Sequence, residues 1–158
     1  MPEYFECQAK YLKQMDNGLI KAAKTLLLVD ALSHTEAETK TINELWDNRD
    51  LVVATVKRSN IAEVVEHGDS DLWFKCKITY SAQDEDSEKE KKITLYILVN
   101  AADVTEAKER AEKHLDSMLV PFQVPKVEET KFSGIVHHLA SETRVGPTKP
   151  MTKKNSID

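Results

Sequence analysis

The side chains with chemical potential are two cysteines, five histidines and a set of lysines interleaved with aromatic residues. Cys7 and Cys76 sit in matching phrases, Tyr4-Phe5-Glu6-Cys7 and Trp73-Phe74-Lys75-Cys76. In an alternating strand both face inward, so each reads as a small core hydrophobe rather than as half of a redox pair. The histidines are His34, His67, His114, His137 and His138, and none stands at the spacing of a metal site. The four glycines form no phosphate loop, and no nucleophile elbow or paired-zinc motif is present. No catalytic residue, metal or cofactor is expected, and the chain reads as a non-catalytic binding protein.

The lysines carry the chemistry that remains. Lys10, Lys24, Lys75 and Lys77 fall in segments that alternate as strands. The same alternation sets Trp73 beside Lys75 and Lys77, and Tyr4 near Lys10. Ammonium groups neutralise phosphates, and aromatic faces stack on bases at about 1–3 kcal/mol per base. The expected ligand-binding residues are therefore Tyr4, Lys10, Lys24, Trp73, Lys75 and Lys77. A competing expectation is structural. Lysine on a solvated strand face discourages edge-to-edge pairing, and aromatics at strand starts also pack against another half or subunit. Glu6, standing where the second phrase has Lys75, breaks any symmetric anion site.

Composition narrows the classes. The 158 residues are 41% hydrophobic, enough for a packed core rather than a disordered chain. Proteins that coat nucleic acid non-specifically usually show a basic excess, and a net charge of −5 shows none. The charge is unevenly placed, with Glu36, Glu38, Glu44, Glu106, Glu109 and Glu112 on expected helices and lysines on expected strands. A sheet face turned away from the helices is then locally basic. No apolar run approaches the roughly 20 residues that span a bilayer, so no membrane partner is expected. The opening Met1-Pro2-Glu3-Tyr4 has no secretory pattern, and two cysteines fit a reducing cytoplasm.

The elements that position these residues come in two copies. Leu28-Val29-Asp30-Ala31 matches Leu98-Val99-Asn100-Ala101, and Thr35-Glu36-Ala37 matches Thr105-Glu106-Ala107. Ile61 to His67 matches Phe132 to His138, with the order preserved throughout. Each copy has an alternating strand, a polar turn and an aliphatic strand. The turns are Asp16-Asn17-Gly18 in the first copy and the charged run from Asp84 to Lys92 in the second. Next come a helix with a capping-box start (Ser33 with Glu36, Asp103 with Glu106) and two closing strands. Pro121 and Pro125 mark an edge strand or a bulge. The expected class is α+β: tandem ββαββ repeats with pseudo-two-fold symmetry, in antiparallel sheets each covered by one helix. Residues 1–68 form repeat 1, residues 69–139 form repeat 2 packed with it, and 140–158 form a flexible basic tail.

Tyr-Phe-Glu-Cys at the start, Leu-Val-Asp-Ala-Leu-Ser-His-Thr-Glu-Ala-Glu from Leu28, Trp-Phe-Lys-Cys-Lys from Trp73 and Leu-Val-Asn-Ala-Ala-Asp-Val-Thr-Glu-Ala from Leu98 carry a resemblance. From Tyr4 to about Leu139 the chain resembles a family of small duplicated α+β proteins of unknown function, found in Bacteroidetes and in their phages and mobile elements. The resemblance implies a cytosolic protein, in the host cytoplasm if phage-encoded, and no activity. The run of four strands and a helix, used twice, is also similar in topology to single-strand nucleic-acid binders of the Whirly and purine-rich-element-binding type, circularly permuted.

Three functional expectations stand together. The first is a binder of single-stranded nucleic acid on the basic and aromatic sheet face. The second is a phage or mobile-element accessory protein that sequesters a nucleotide signal of host defence. The third is a homo-oligomeric protein-interaction module.

Overall fold

Phe5, Cys7 and Ala9 alternate with Glu6, Gln8 and Lys10, and that period of two buries one face of the first strand completely. In the computed structural model, residues 3–83 and 90–137 are described. Their elements are β1 (Tyr4–Gln14), β2 (Ile20–Asp30), α1 (His34–Glu44), β3 (Arg49–Arg58), β4 (Ile61–Val65), β5 (Trp73–Gln83), β6 (Glu90–Asn100), α2 (Val104–His114), β7 (Phe122–Glu129) and β8 (Phe132–Val136). The described residues are mixed α+β, with two four-stranded sheets, two helices and the order ββαββ used twice. Residues 84–89 of the expected charged turn and all of the expected basic tail lie outside the described residues.

Turn and cap chemistry place the elements as their sequences predict. Asp16-Asn17-Gly18 closes the first hairpin. Gly18 takes a φ of 86°, and the Asn17 side chain accepts from the Leu19 amide at 3.1 Å. Both helices start with a reciprocal capping box. Ser33 Oγ accepts from the Glu36 amide while Glu36 accepts from the Leu32 amide; Asp103, Glu106 and Ala102 repeat the arrangement. A cation one turn on then ties each helix to its sheet. Lys40 donates to the Asp30 carbonyl at 2.7 Å, and Arg110 donates to the Asn100 carbonyl at 2.6 Å. Arg110 also grips Asp69 with two nitrogens and holds that carboxyl below its ordinary range.

The chain divides into two compact units. One holds β1, β2, α1, β3 and most of β8, and the other holds β4, β5, β6, α2 and β7. The first core joins Phe5, Cys7, Leu27, Val29, Ala31, Ala37 and Val136. The second joins Phe74, Cys76, Ile78, Ile97, Val99 and Ala101 with Ala107, Ala111 and Leu115. Alanines on the buried helix faces let backbone approach sheet. Cutting Phe5 or Phe74 to Ala in such a core costs about 3–5 kcal/mol.

Sheet order corrects two expectations. The first sheet runs β3-β1-β2-β8 and the second β4-β6-β5-β7, so the last strand of each repeat leaves its own repeat and completes the sheet of the other. The second sheet is also not wholly antiparallel, because β4 lies parallel to β6, with Val64 beside Leu98 and Val65 beside Val99. The physical reason lies in the aliphatic runs. Leu27-Leu28-Val29 and Ile97-Leu98-Val99 are buried on both faces, as interior strands are, and an interior strand needs a neighbour on each edge. β7 does stand at a sheet edge, and its register against β5 shifts between Lys77 and Thr79, which leaves Pro125 outside the ladder. Asn100, fully buried, anchors the chain between β4 and β5. Its side chain accepts from the Gly68 amide and donates to the Ser70 and Leu72 carbonyls.

The exchange predicts the behaviour of a cut chain. Cleaved at a protease site inserted between Glu66 and His67, the two fragments should still co-elute at the mass of the intact protein in native gel filtration. Each fragment carries the fourth strand of the other's sheet. Separation into half-size species without denaturant would contradict the topology.

Candidate nucleic-acid interface

On β5, Trp73, Lys75, Lys77 and Thr79 share the face opposite the Phe74-Cys76-Ile78 core. Register decides their neighbours. Lys75 lies opposite Leu98 on β6 and Glu128 on β7, and Lys77 lies opposite Tyr96 and Lys126. Three ammonium groups, one ring and one carboxylate thus converge from three adjacent strands. They line a pocket of about 150 Å³ formed by Lys75, Lys77, Tyr96, Lys126 and Glu128. At about 30 Å³ per water this is room for about five waters, the scale of one phosphate group or one base. Lys75 Nζ stands 4.7 Å from the centre of the Tyr96 ring, in cation–π range. Lys126 Nζ lies 3.5 Å from Glu128 Oε2. Lys75, Lys77 and Tyr96 are half-buried, and Lys126 and Glu128 are exposed. Partial burial weakens solvent screening and strengthens the pull of the ammonium groups on an anion.

The other repeat does not build this cluster. At the matching positions stand Glu6 and Gln8 on β1, Leu26 on β2, and Thr55 and Lys57 on β3. Glu6 is engaged there by Lys57 at 4.0 Å and by the Ser59 hydroxyl at 2.9 Å.

The expected site residues separate into three groups. Lys75 and Lys77 come together in the pocket. Lys10 and Lys24 are direct cross-strand partners in the other unit, both exposed, and form a separate basic pair. Tyr4 and Trp73 correct the expectation that they offer their faces to a base, because they are only 8% and 5% exposed. Both begin strands where the chain leaves the sheet. The Ser59 amide donates to the Tyr4 carbonyl, and Thr130 donates twice to the Trp73 carbonyl. At such a position a large ring gains more by burial than by meeting solvent. The ring that does line the pocket is Tyr96, which the alternation of Thr94, Tyr96 and Leu98 places on the Lys77 face. Its signal in the sequence was a polar-tipped aromatic inside an otherwise aliphatic run.

The histidines are dispersed among the described residues. His34 packs edge-on to Phe5, His67 is exposed, and His114 meets Glu63 at 3.2 Å. His138 lies outside the described residues. Among the described residues no group of three or more His, Cys, Asp or Glu could hold a metal ion, and no helix is long and apolar enough to cross a membrane. Cys7 and Cys76 are both free and fully buried. Burial pushes the Cys76 thiol up to about 11, and raises Cys7 against a lowering hydrogen bond from Thr41.

A family model described as Domain of unknown function (DUF4494) matches residues 3–138. No curated protein and no solved structure matches the chain.

The raised thiols make a direct check on the packing of both strands. At pH 8 neither cysteine should react with an aromatic disulfide reagent in the native protein, because both stay protonated and covered. Both should react at once in concentrated guanidinium. A native thiol that titrates at pH 8 would show that its strand face is open.

Proposed function

The chain belongs to the family described as Domain of unknown function (DUF4494), and on that premise we propose that it is a non-catalytic protein that binds single-stranded nucleic acid through the second sheet. The single observation behind this reading is the convergence of Lys75, Lys77 and Lys126 with Tyr96 in one pocket. An extended polyanion with unstacked bases asks for two things at once, cations that follow its phosphates and an aromatic face for a base. Lys75 and Lys77 stand two residues apart on one strand, about 6.6 Å, so they can meet neighbouring positions of an extended ligand. Tyr96 beside them offers the ring. The uneven charge of the chain supports the same reading, since its net −5 does not prevent a local cluster of ammonium groups.

A second reading is favoured by the size of the pocket. At about 150 Å³ and built in one repeat only, it suits a single small nucleotide as well as one segment of a strand. In that case the protein sequesters a nucleotide signal, as an accessory protein of a phage or mobile element would. Both readings place it in a cytoplasm, that of the host if the chain is phage-encoded. They share the same residues and differ in how affinity grows with ligand length.

Fluorescence anisotropy of a labelled short oligothymidylate tests the proposal. Affinity should fall as salt rises, with a slope of about −0.7 for each phosphate neutralised on a single strand. The Lys75→Ala/Lys77→Ala variant should lower the magnitude of that slope by about 1.4, two phosphates' worth. Lys10→Ala/Lys24→Ala should change it less. Binding that ignores salt, or none at low salt, would contradict the proposal. Affinity that is full with a mononucleotide and does not grow with length would select the second reading.

A further inference from the structure

One member of the pocket has the wrong sign for an anion site. Glu128 is exposed at the rim, on β7, and repels phosphate. Its carboxylate meets Lys126 through Oε2 at 3.5 Å and stands opposite Lys75 in the register of β5 and β7. A site that existed only to hold phosphate would gain by a neutral residue here, as the first repeat gains by pairing its own carboxylate, Glu6, with both Lys57 and Ser59.

A carboxylate beside an aromatic ring has a use when the ligand carries a base. It offers two acceptor oxygens and no donor. Bases differ in what they present to such a group. Guanine shows two adjacent donors on its pairing edge, the ring N–H and the exocyclic amine. Adenine and cytosine show one exocyclic amine beside a bare acceptor nitrogen, and thymine one N–H flanked by carbonyls. Only guanine can donate to both oxygens without setting an acceptor against the carboxylate.

Position permits this reading. Tyr96 on β6 and Glu128 on β7 flank β5 on a diagonal, two strand spacings across and two residues along, about 12 Å between their backbones, with Lys75 and Lys77 on the strand between. A base laid on the Tyr96 ring points one edge toward β7. The place over the ring is now held by Lys75 Nζ, through a cation–π contact at a half-exposed site. A phosphate arriving beside Lys75 and Lys77 draws that ammonium away and frees the ring face for the base.

Resting on the nucleic-acid reading of this pocket, we propose that Glu128 is its base-selecting residue and that the pocket prefers guanine. Calorimetric titration of the full chain at low salt tests this. The probes are trideoxynucleotides that differ only in the central base, guanine, adenine, cytosine or thymine, between thymines. The guanine ligand should bind about tenfold more tightly, the low end of what one bidentate base contact discriminates. Glu128→Gln puts one donor and one acceptor toward the base and should remove that preference while strengthening binding of the thymine ligand, because a repulsive charge is gone. Its side chain is exposed, so the variant should fold as the parent does, which an unchanged melting temperature checks. Equal affinity for the four ligands would overturn the assignment of Glu128 and leave the general reading of the pocket standing. A guanine preference that survives in Glu128→Gln would overturn it as well. No binding of any trinucleotide would overturn both.

Discussion

Two strands buried on both faces set the terms for everything else in this chain. β2 and β6 present continuous aliphatic runs, so neither can lie at a solvent edge, and every buried amide and carbonyl along them needs a partner. β1 and β5 supply one neighbour each through long hairpins. The other neighbour is the last strand of the opposite repeat, β8 for β2 and β4 for β6. An unsatisfied buried amide costs about 1–3 kcal/mol, so leaving one edge of such a strand open would cost several times that. Neither repeat supplies all four strands of its own sheet.

The same frame explains how two similar repeats carry different surfaces. The core positions are nearly interchangeable: Phe5 and Phe74, Cys7 and Cys76, Val29 and Val99, Ala37 and Ala107. Residues of opposite parity in the middle of β1 and β5, Glu6 and Gln8 against Lys75 and Lys77, are only half-buried and free of that constraint. One charge relation is kept with its sign reversed, Glu6 against Lys57 in one sheet and Lys75 against Glu128 in the other. What turns the second face basic is the replacement of neutral partners. Gln8 and Thr55 correspond to Lys77 and Lys126, and Leu26 corresponds to Tyr96. The fold thus holds a constant scaffold on one parity and lets the charge of the other face differ between the two sheets.

Period-two alternation, turn residues and capping boxes act within a dozen residues of one another. Elements governed by them were therefore legible: the Asp16-Asn17-Gly18 turn, the starts of both helices at Ser33 and Asp103, and the inward cysteines. The exchange of β4 and β8 was not, because a two-residue link such as Ser59-Asn60 reads locally as a hairpin. The signal against a hairpin was the aliphatic run in β2 and β6, which called for a second neighbour. The site was half legible for the same reason. Lys75 and Lys77 are two apart on one strand and could be paired from spacing alone, whereas Lys126 and Tyr96 reach them only through register across strands. Tyr4 and Trp73 share the parity of the site residues, yet their position at the strand starts buries them. Parity fixes the face of a side chain and says nothing of its depth.

The proposed place for a single nucleic-acid strand or a nucleotide is one face of one sheet, built on β5. Backbone amide shifts of the full chain, recorded by NMR while a short single-stranded oligonucleotide is added at low salt, test it most directly. The largest changes should cluster on Lys75, Lys77, Tyr96, Lys126 and Glu128, with small ones at the matching positions Glu6, Gln8, Leu26, Thr55 and Lys57. Changes centred on Lys10 and Lys24, or a spectrum that does not move, would contradict it.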